Sequence, residues 1–167
     1  VPVEKFEAVK VLETIEAEKC TAVHGVPTMF IAELEAMKNK NYDTSSLRTG
    51  IMAGAPCPTE VMKSVVNSMG AGEICITYGQ TESSPGITMT RTSDPIELRV
   101  STVGRALPNV EVKIVNPENG EDLQPGVQGE LCTRGYHVMK GYYNMPEATA
   151  STMDKDNWLH TGDLAVM

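Results

Sequence analysis

Five consecutive residues, Tyr78-Gly79-Gln80-Thr81-Glu82, place a phenol ring, a glycine, an amide, a hydroxyl and a carboxylate in one short stretch. A phenol ring can stack on a nucleobase, and a hydroxyl with neighbouring N–H groups can bind phosphate. A carboxylate can take a hard cation such as Mg²⁺. The combination suits a nucleotide with its metal ion. A solvated turn with an incidental acidic residue would carry the same side chains, so spacing alone leaves both readings open.

Other candidates are weaker. Gly70-Ala71-Gly72 lacks the third glycine of a dinucleotide fingerprint and follows a helical pattern where a strand should precede it, so it is expected to stop a helix. Neither a G-x-x-x-x-G-K-[ST] phosphate loop nor a G-x-S-x-G elbow occurs. His24, His137 and His160 stand in no i, i+3 or i, i+4 relation, which rules out a helical metal pair. Cys20, Cys57, Cys75 and Cys132 show no C-x-x-C spacing and read as thiols in a reducing compartment.

These residues need elements to hold them. Phe6, Val9, Leu12 and Ile15 form a helical stripe. Pro27 opens a second stripe with Phe30, Ile31, Leu34 and Met37. Val61, Met62, Val65, Val66 and Met69 form a third, ending at Gly70. Short strands are expected at Cys20–Val23, Thr49–Ala53 and Glu73–Tyr78. The alternation implies parallel β-α-β units whose strand ends share one sheet edge, the edge where ligands bind. His24-Gly25, Gly54-Ala55-Pro56 and Tyr78–Glu82 follow those ends. Gly79 to Pro95 reads as a long exposed loop. Beyond it helical periodicity vanishes, and Val110–Val115 and Gly129–Arg134 alternate like antiparallel strands, with a turn at Asn119-Gly120 between them. Pro146 is expected to open a short helix. The fold class is therefore α/β, with residues 1–95 a parallel portion and residues 96–167 a mostly antiparallel, barrel-like portion.

Composition narrows the partners. The 167 residues carry 14 Lys+Arg against 22 Asp+Glu, a net charge of −8, with no basic run, so nucleic acid is not the expected partner. No apolar stretch approaches the roughly 20 residues of a membrane span, and no leader pattern opens the chain, so a cytoplasmic protein is expected. With 5% aromatic residues, the core must rely on aliphatic and methionine side chains.

Thr77-Tyr-Gly-Gln-Thr-Glu82 closely resembles the signature of the adenylate-forming (AMP-binding) enzymes, which include acyl-CoA synthetases, aryl-CoA ligases, luciferases and peptide-synthetase adenylation domains. Val23-His-Gly-Val-Pro-Thr-Met29 is similar to their substrate-pocket strand and helix, and Gly54-Ala55-Pro56 to their adenine-flanking turn. Gly129-Glu-Leu-Cys-Thr-Arg-Gly135, Gly141-Tyr-Tyr-Asn144 and Trp158-Leu-His-Thr-Gly-Asp163 follow in the family's order. The stretch from Gly54 to Cys57, with Tyr78 to Pro85, resembles fatty-acyl-CoA synthetases more than peptide-synthetase domains.

The resemblance implies an enzyme joining a carboxylic acid to ATP, with release of pyrophosphate, and then transferring the acyl group to coenzyme A. Gly54, Ala55, Pro56, Thr77, Tyr78, Gly79, Gln80, Thr81 and Asp163 would contact the nucleotide, with Asp163 on the ribose hydroxyls. Thr81 and Glu82 would be catalytic, Glu82 by holding Mg²⁺. His24, Gly25 and Gly79 would line the acyl pocket. Acetate-using members place a tryptophan at the position of Gly79, so a glycine implies room for a medium or long fatty acid. The family's upstream phosphate loop, its downstream arginine and its C-terminal domain with the catalytic lysine have no counterpart here. The chain is accordingly expected to be an interior fragment, inactive alone and lacking the remainder of its parent chain. A non-catalytic acyl- or partner-binding module, an aryl-CoA ligase and a luciferase-like member are the alternatives.

Overall fold

The computed structural model describes residues 1–167. Two compact units emerge: Val1–Thr77 with Met89–Gly104, and Tyr78–Thr88 with Arg105–Met167. None of the helices is long and apolar enough to cross a membrane.

The first unit begins with α1 (Ala8–Glu18), which buries Leu12 and Ile15 and ends at Lys19 in the left-handed region, φ 49°. The expected stripe is only half used. Phe6 precedes the helix, and both Phe6 and Val9 remain exposed. Strand β1 (Ala22–Gly25) leads into α2 (Pro27–Asn39), where Pro27 occupies the first turn because its missing N–H would have had no intrahelical partner anyway. Phe30 is fully buried as expected, but Ile31 faces out and Glu33 faces in. The inward face thus follows the i, i+3 step from Phe30 to Glu33, placing a carboxyl in the core.

Strands β2 (Thr49–Ala53) and β3 (Glu73–Tyr78) pair in parallel with each other, and β1 pairs in parallel with β2. Gly25 is registered with Met52 and Ala53 with Thr77, so these strands do end along one edge. Between β2 and β3, α3 (Thr59–Ser64) widens into a π-helical turn over Val65–Met69 and stops at Gly70, φ 80°, the left-handed position a glycine adopts without Cβ strain. Met62, Val65 and Met69 remain inward despite the change of pitch. They join Phe30, Met52 and Ile74 in a core dominated by aliphatic and methionine side chains. Each such burial contributes about 1.5–3 kcal/mol.

The region read as an exposed loop is more ordered than expected. A single 3₁₀ turn occupies Thr81–Ser83 and a short strand, β4 (Thr88–Met89), follows. Ser83, Ile87, Thr88 and Thr90 are buried. Polar burial is tolerated because backbone groups are paired: Ile76 N–H donates to Thr90 Oγ1 at 2.9 Å, and Thr90 N–H donates to Ile76 O at 2.9 Å. A helix that periodicity missed, α4 (Ile96–Ser101), is too short to show a stripe. Its buried Arg99 donates from Nη1 to the carbonyls of Gly72 at 3.1 Å and Ile74 at 2.6 Å.

With β5 (Arg105–Ala106), the larger sheet has the strand order β1-β2-β3-β4-β5. The second unit contains an open three-stranded antiparallel sheet of β6 (Val110–Val115), β7 (Gly129–Gly135) and β8 (Leu159–Ala165) in that order, with α5 (Pro146–Thr152) between β7 and β8. Ile87, Val110, Ile114 and Leu131 form its apolar cluster.

Strand β8 is where sequence patterning was silent. Glu130 pairs with Leu164 but Cys132 pairs with His160, so Thr161-Gly162-Asp163 bulges out of register with β7. Gly162 takes φ 75°, which favours glycine. Trp158 leads into the strand, and its ring centroid lies 4.7 Å from Lys113 Nζ and 4.6 Å from the Arg134 guanidinium. Arg134 in turn makes a two-pronged contact with Glu111, at 2.9 and 2.8 Å.

Candidate functional site

Within the second unit, the chain from Tyr78 to Pro85 folds tightly on itself. Gln80 N–H donates to Ser83 Oγ at 3.0 Å and Ser83 Oγ donates back to Gln80 O at 2.9 Å, closing the turn that presents Thr81 and Glu82. Thr81 is exposed and Glu82 half-buried. Gly79 is fixed by close packing: a Cβ there would lie 1.5 Å from the Pro85 carbonyl oxygen. This steric demand is independent of any acyl pocket. Gly79→Ala in the full-length protein should therefore displace residues 80–86 and lower stability by about 1–3 kcal/mol, read by chemical denaturation. Unchanged stability would disprove the contact. The same clash makes a tryptophan at this position a poor probe of substrate length.

Glu82 is held from two sides. Its main-chain carbonyl accepts from Met139 N–H at 2.7 Å, and its Oε1 accepts from the Tyr142 hydroxyl at 2.7 Å. The Tyr142 hydrogen bond moves the Glu82 pKa below the ordinary carboxylate value, and the same bond moves the Tyr142 phenol upward. A carboxylate kept ionised on a turn is suited to a hard cation.

Tyr78 donates from its hydroxyl to Asp163 Oδ2 at 2.6 Å, bringing the end of β3 and the bulge of β8 together across 85 positions of sequence. Burial, and then the adjacent Asp163 carboxylate, push the Tyr78 phenol up to about 12. Asp163 lies within β8 and is exposed. An ionised carboxylate retains acceptor capacity beyond the single bond from Tyr78.

The remaining candidates belong to the first unit. Thr77, one residue before the end of β3, pairs with Ala53. Gly54 follows β2 with φ 81°, and Gly54, Ala55 and Pro56 are all exposed. His24 is exposed on β1, and Gly25 lies against Phe30. His24 also lines a cavity of about 320 Å³ shared with Cys20, Met29 and Glu33.

Sequence reasoning passed over Tyr142 and Glu130. Both stand in segments that were singled out, Gly141–Asn144 and Gly129–Gly135, but no local spacing links either to a partner 60 or 32 positions away.

Residues 1–143 match the family model described as AMP-binding enzyme. The chain is 61% identical over all of its 167 residues to a putative acyl-CoA synthetase, YngI, of Bacillus subtilis strain 168, and covers 30% of that protein. It is 42% identical over 162 residues to the mitochondrial medium-chain acyl-CoA ligase ACSF2 of Mus musculus, a match covering 97% of this chain and 26% of the relative. Among solved structures, the amide bond synthetase McbA of Marinactinospora thermotolerans superposes with a TM-score of 0.86 at 34% identity, over 99% of this chain and 33% of that one. ATP-bound MatB from Rhodopseudomonas palustris gives 0.84 at 30% identity, over 99% and 32%. The chain thus spans under a third of the B. subtilis and mouse relatives. Its motifs, fold and relatives agree: the chain belongs to the AMP-binding enzyme family.

Proposed function

We propose that the full-length protein carrying this chain is an AMP-forming acyl-CoA synthetase acting on medium or long fatty acids. One observation carries the reading: the Thr77–Glu82 segment and the bulge bearing Asp163 meet through the Tyr78 hydroxyl. In the proposed reaction a substrate carboxylate oxygen attacks the α-phosphorus of ATP, and pyrophosphate leaves with the electrons of the broken P–O bond. The thiol sulfur of coenzyme A then attacks the acyl carbon and AMP departs.

Bringing two anions together requires charge to be offset and geometry to be held. Tyr78 offers a ring face for the adenine, and Asp163 accepts hydrogen bonds from ribose hydroxyls. Thr81 supplies a hydroxyl beside the phosphates. Glu82 fits Mg²⁺, which takes one or two protein carboxylates together with substrate phosphates. When bound, the ion neutralises phosphate charge. Gly54-Ala55-Pro56, Thr77, Gly79 and Gln80 are proposed as further nucleotide contacts, and His24, Gly25 and Gly79 as acyl contacts. The similarity to a putative acyl-CoA synthetase and to a medium-chain acyl-CoA ligase supports this choice of chemistry.

The test is pyrophosphate–ATP exchange by the full-length protein against a panel of acetate, octanoate, palmitate and benzoate. Exchange driven by octanoate or palmitate is expected. Exchange with benzoate alone would overturn the fatty-acid assignment, and no exchange with any acid would overturn the reaction. The isolated 167 residues are expected to support no exchange.

A further inference from the structure

Glu130, on β7, spans two separate groups of β8. Its Oε1 accepts from Gly162 N–H at 2.9 Å, and its Oε2 contacts His160 Nδ1 at 2.8 Å. Gly162 is the centre of the bulge, flanked by Thr161 and Asp163. Thr161 is tied independently, donating from Oγ1 to Leu131 O at 2.7 Å, and the same Oγ1 accepts from Asp163 N–H at 3.2 Å. The bulge cannot use the regular ladder, because it is out of register with β7. Its N–H groups must therefore be satisfied by side chains, and Glu130 supplies the charged acceptor.

We propose that Glu130 is a positioning residue for the nucleotide: by gripping Gly162 N–H and His160, it fixes the bulge at the height where Asp163 meets Tyr78 and a ribose. This inference rests on the proposed role of Asp163 in nucleotide binding.

Glu130, Cys132 and His160 also cluster closely enough to suggest a metal site. The chemistry favours a strut instead. Both Glu130 oxygens are already engaged, and the His160 contact is of hydrogen-bond length. Burial, reinforced by the Glu130 carboxylate, pushes the Cys132 thiol up to about 12, so it stays protonated beside the Glu130–His160 contact. With Glu130 ionised, His160 must carry its proton on Nδ1 to make the contact.

The test uses the full-length protein with four variants, measuring AMP affinity by calorimetry and KM for ATP and for the acid. Glu130→Leu removes the acceptor, and Glu130→Asp withdraws it by one methylene while keeping the charge. Each should weaken AMP binding and raise the ATP KM about tenfold or more, with the acid KM and kcat changing far less. Glu130→Gln keeps an oxygen for Gly162 N–H and an amide that can donate to the other tautomer of His160, so its nucleotide affinity should stay within about threefold of the parent. If Glu130→Leu fails to fold, the Asp and Gln pair decides the matter. The fourth variant, Asp163→Ala, separates the two claims. Weaker AMP binding in Asp163→Ala with parental affinity in Glu130→Asp would overturn the positioning role alone. Parental affinity in Asp163→Ala would overturn the nucleotide role of Asp163, and the positioning role with it.

Discussion

Replacing Glu82 by Ala in the full-length protein should reduce acid-dependent pyrophosphate exchange by about 10²–10³-fold, the scale expected when a metal-bearing carboxylate is removed from a phosphoryl centre. Folding should be nearly untouched. The side chain is only half-buried, its partner is the Tyr142 hydroxyl, and the turn itself is closed by Ser83 rather than by Glu82. Tyr142→Phe serves as the internal control, because it removes the hydrogen bond that places the carboxylate while leaving the carboxylate present. A loss of about tenfold is expected there, the value of one hydrogen bond to a charged group at the weak end of its range, about 1.5 kcal/mol. Exchange rates and thermal midpoints measured on the same preparations separate chemistry from stability. Parental exchange in Glu82→Ala would remove Glu82 from the reaction.

The second large effect concerns Glu33. It lies on α2, 2% exposed, with Oε2 lacking a hydrogen-bond partner, and burial raises its pKa to about 7. The folded value exceeds the unfolded one, so between about pH 4.5 and 7 the folded protein binds more protons than the unfolded chain, and stability falls as pH rises. The penalty is absent below this window and complete above it. A shift from 4.5 to about 7 corresponds to roughly 3 kcal/mol. Glu33→Leu should therefore stabilise the full-length protein by about that amount at pH 8 and by much less at pH 5, with Glu33→Gln intermediate. Denaturant melts at the two pH values provide the measurement. Stability curves for parent and Glu33→Leu that run parallel across pH would show that the carboxyl is not carrying an uncompensated charge.

Much of the first unit could be read from the chain alone. Period and punctuation announce Pro27 at a helix start, Gly70 at a helix stop and the parallel strands, because those signals act between neighbours. What escaped depends on distant partners. Glu33 looks like a solvent residue on a helical wheel, yet the helix is rotated by the large Phe30 anchor so that position 33 faces the core. Helix α4 is defined less by its own pattern than by Arg99 reaching the carbonyls of Gly72 and Ile74. The candidate site divides the same way. Its leading residues form a contiguous string, and the sequence displays them. The groups that hold them in place, Tyr142 on Glu82 and Glu130 on Gly162, act between segments whose spacing follows no period.

The contact between Gly79 and the Pro85 carbonyl also constrains how this protein can be engineered or can diverge. Any side chain at position 79 competes for space with a main-chain atom, which cannot rotate aside as a neighbouring rotamer could. Single substitutions there therefore cost stability, because the backbone from Gln80 to Gly86 must shift to admit them. Variation at position 79 is eased by a change in the length or path of the segment from Gln80 to Gly86. Libraries meant to diversify this position should randomise that loop first, and insertions and deletions within it are the permissive step.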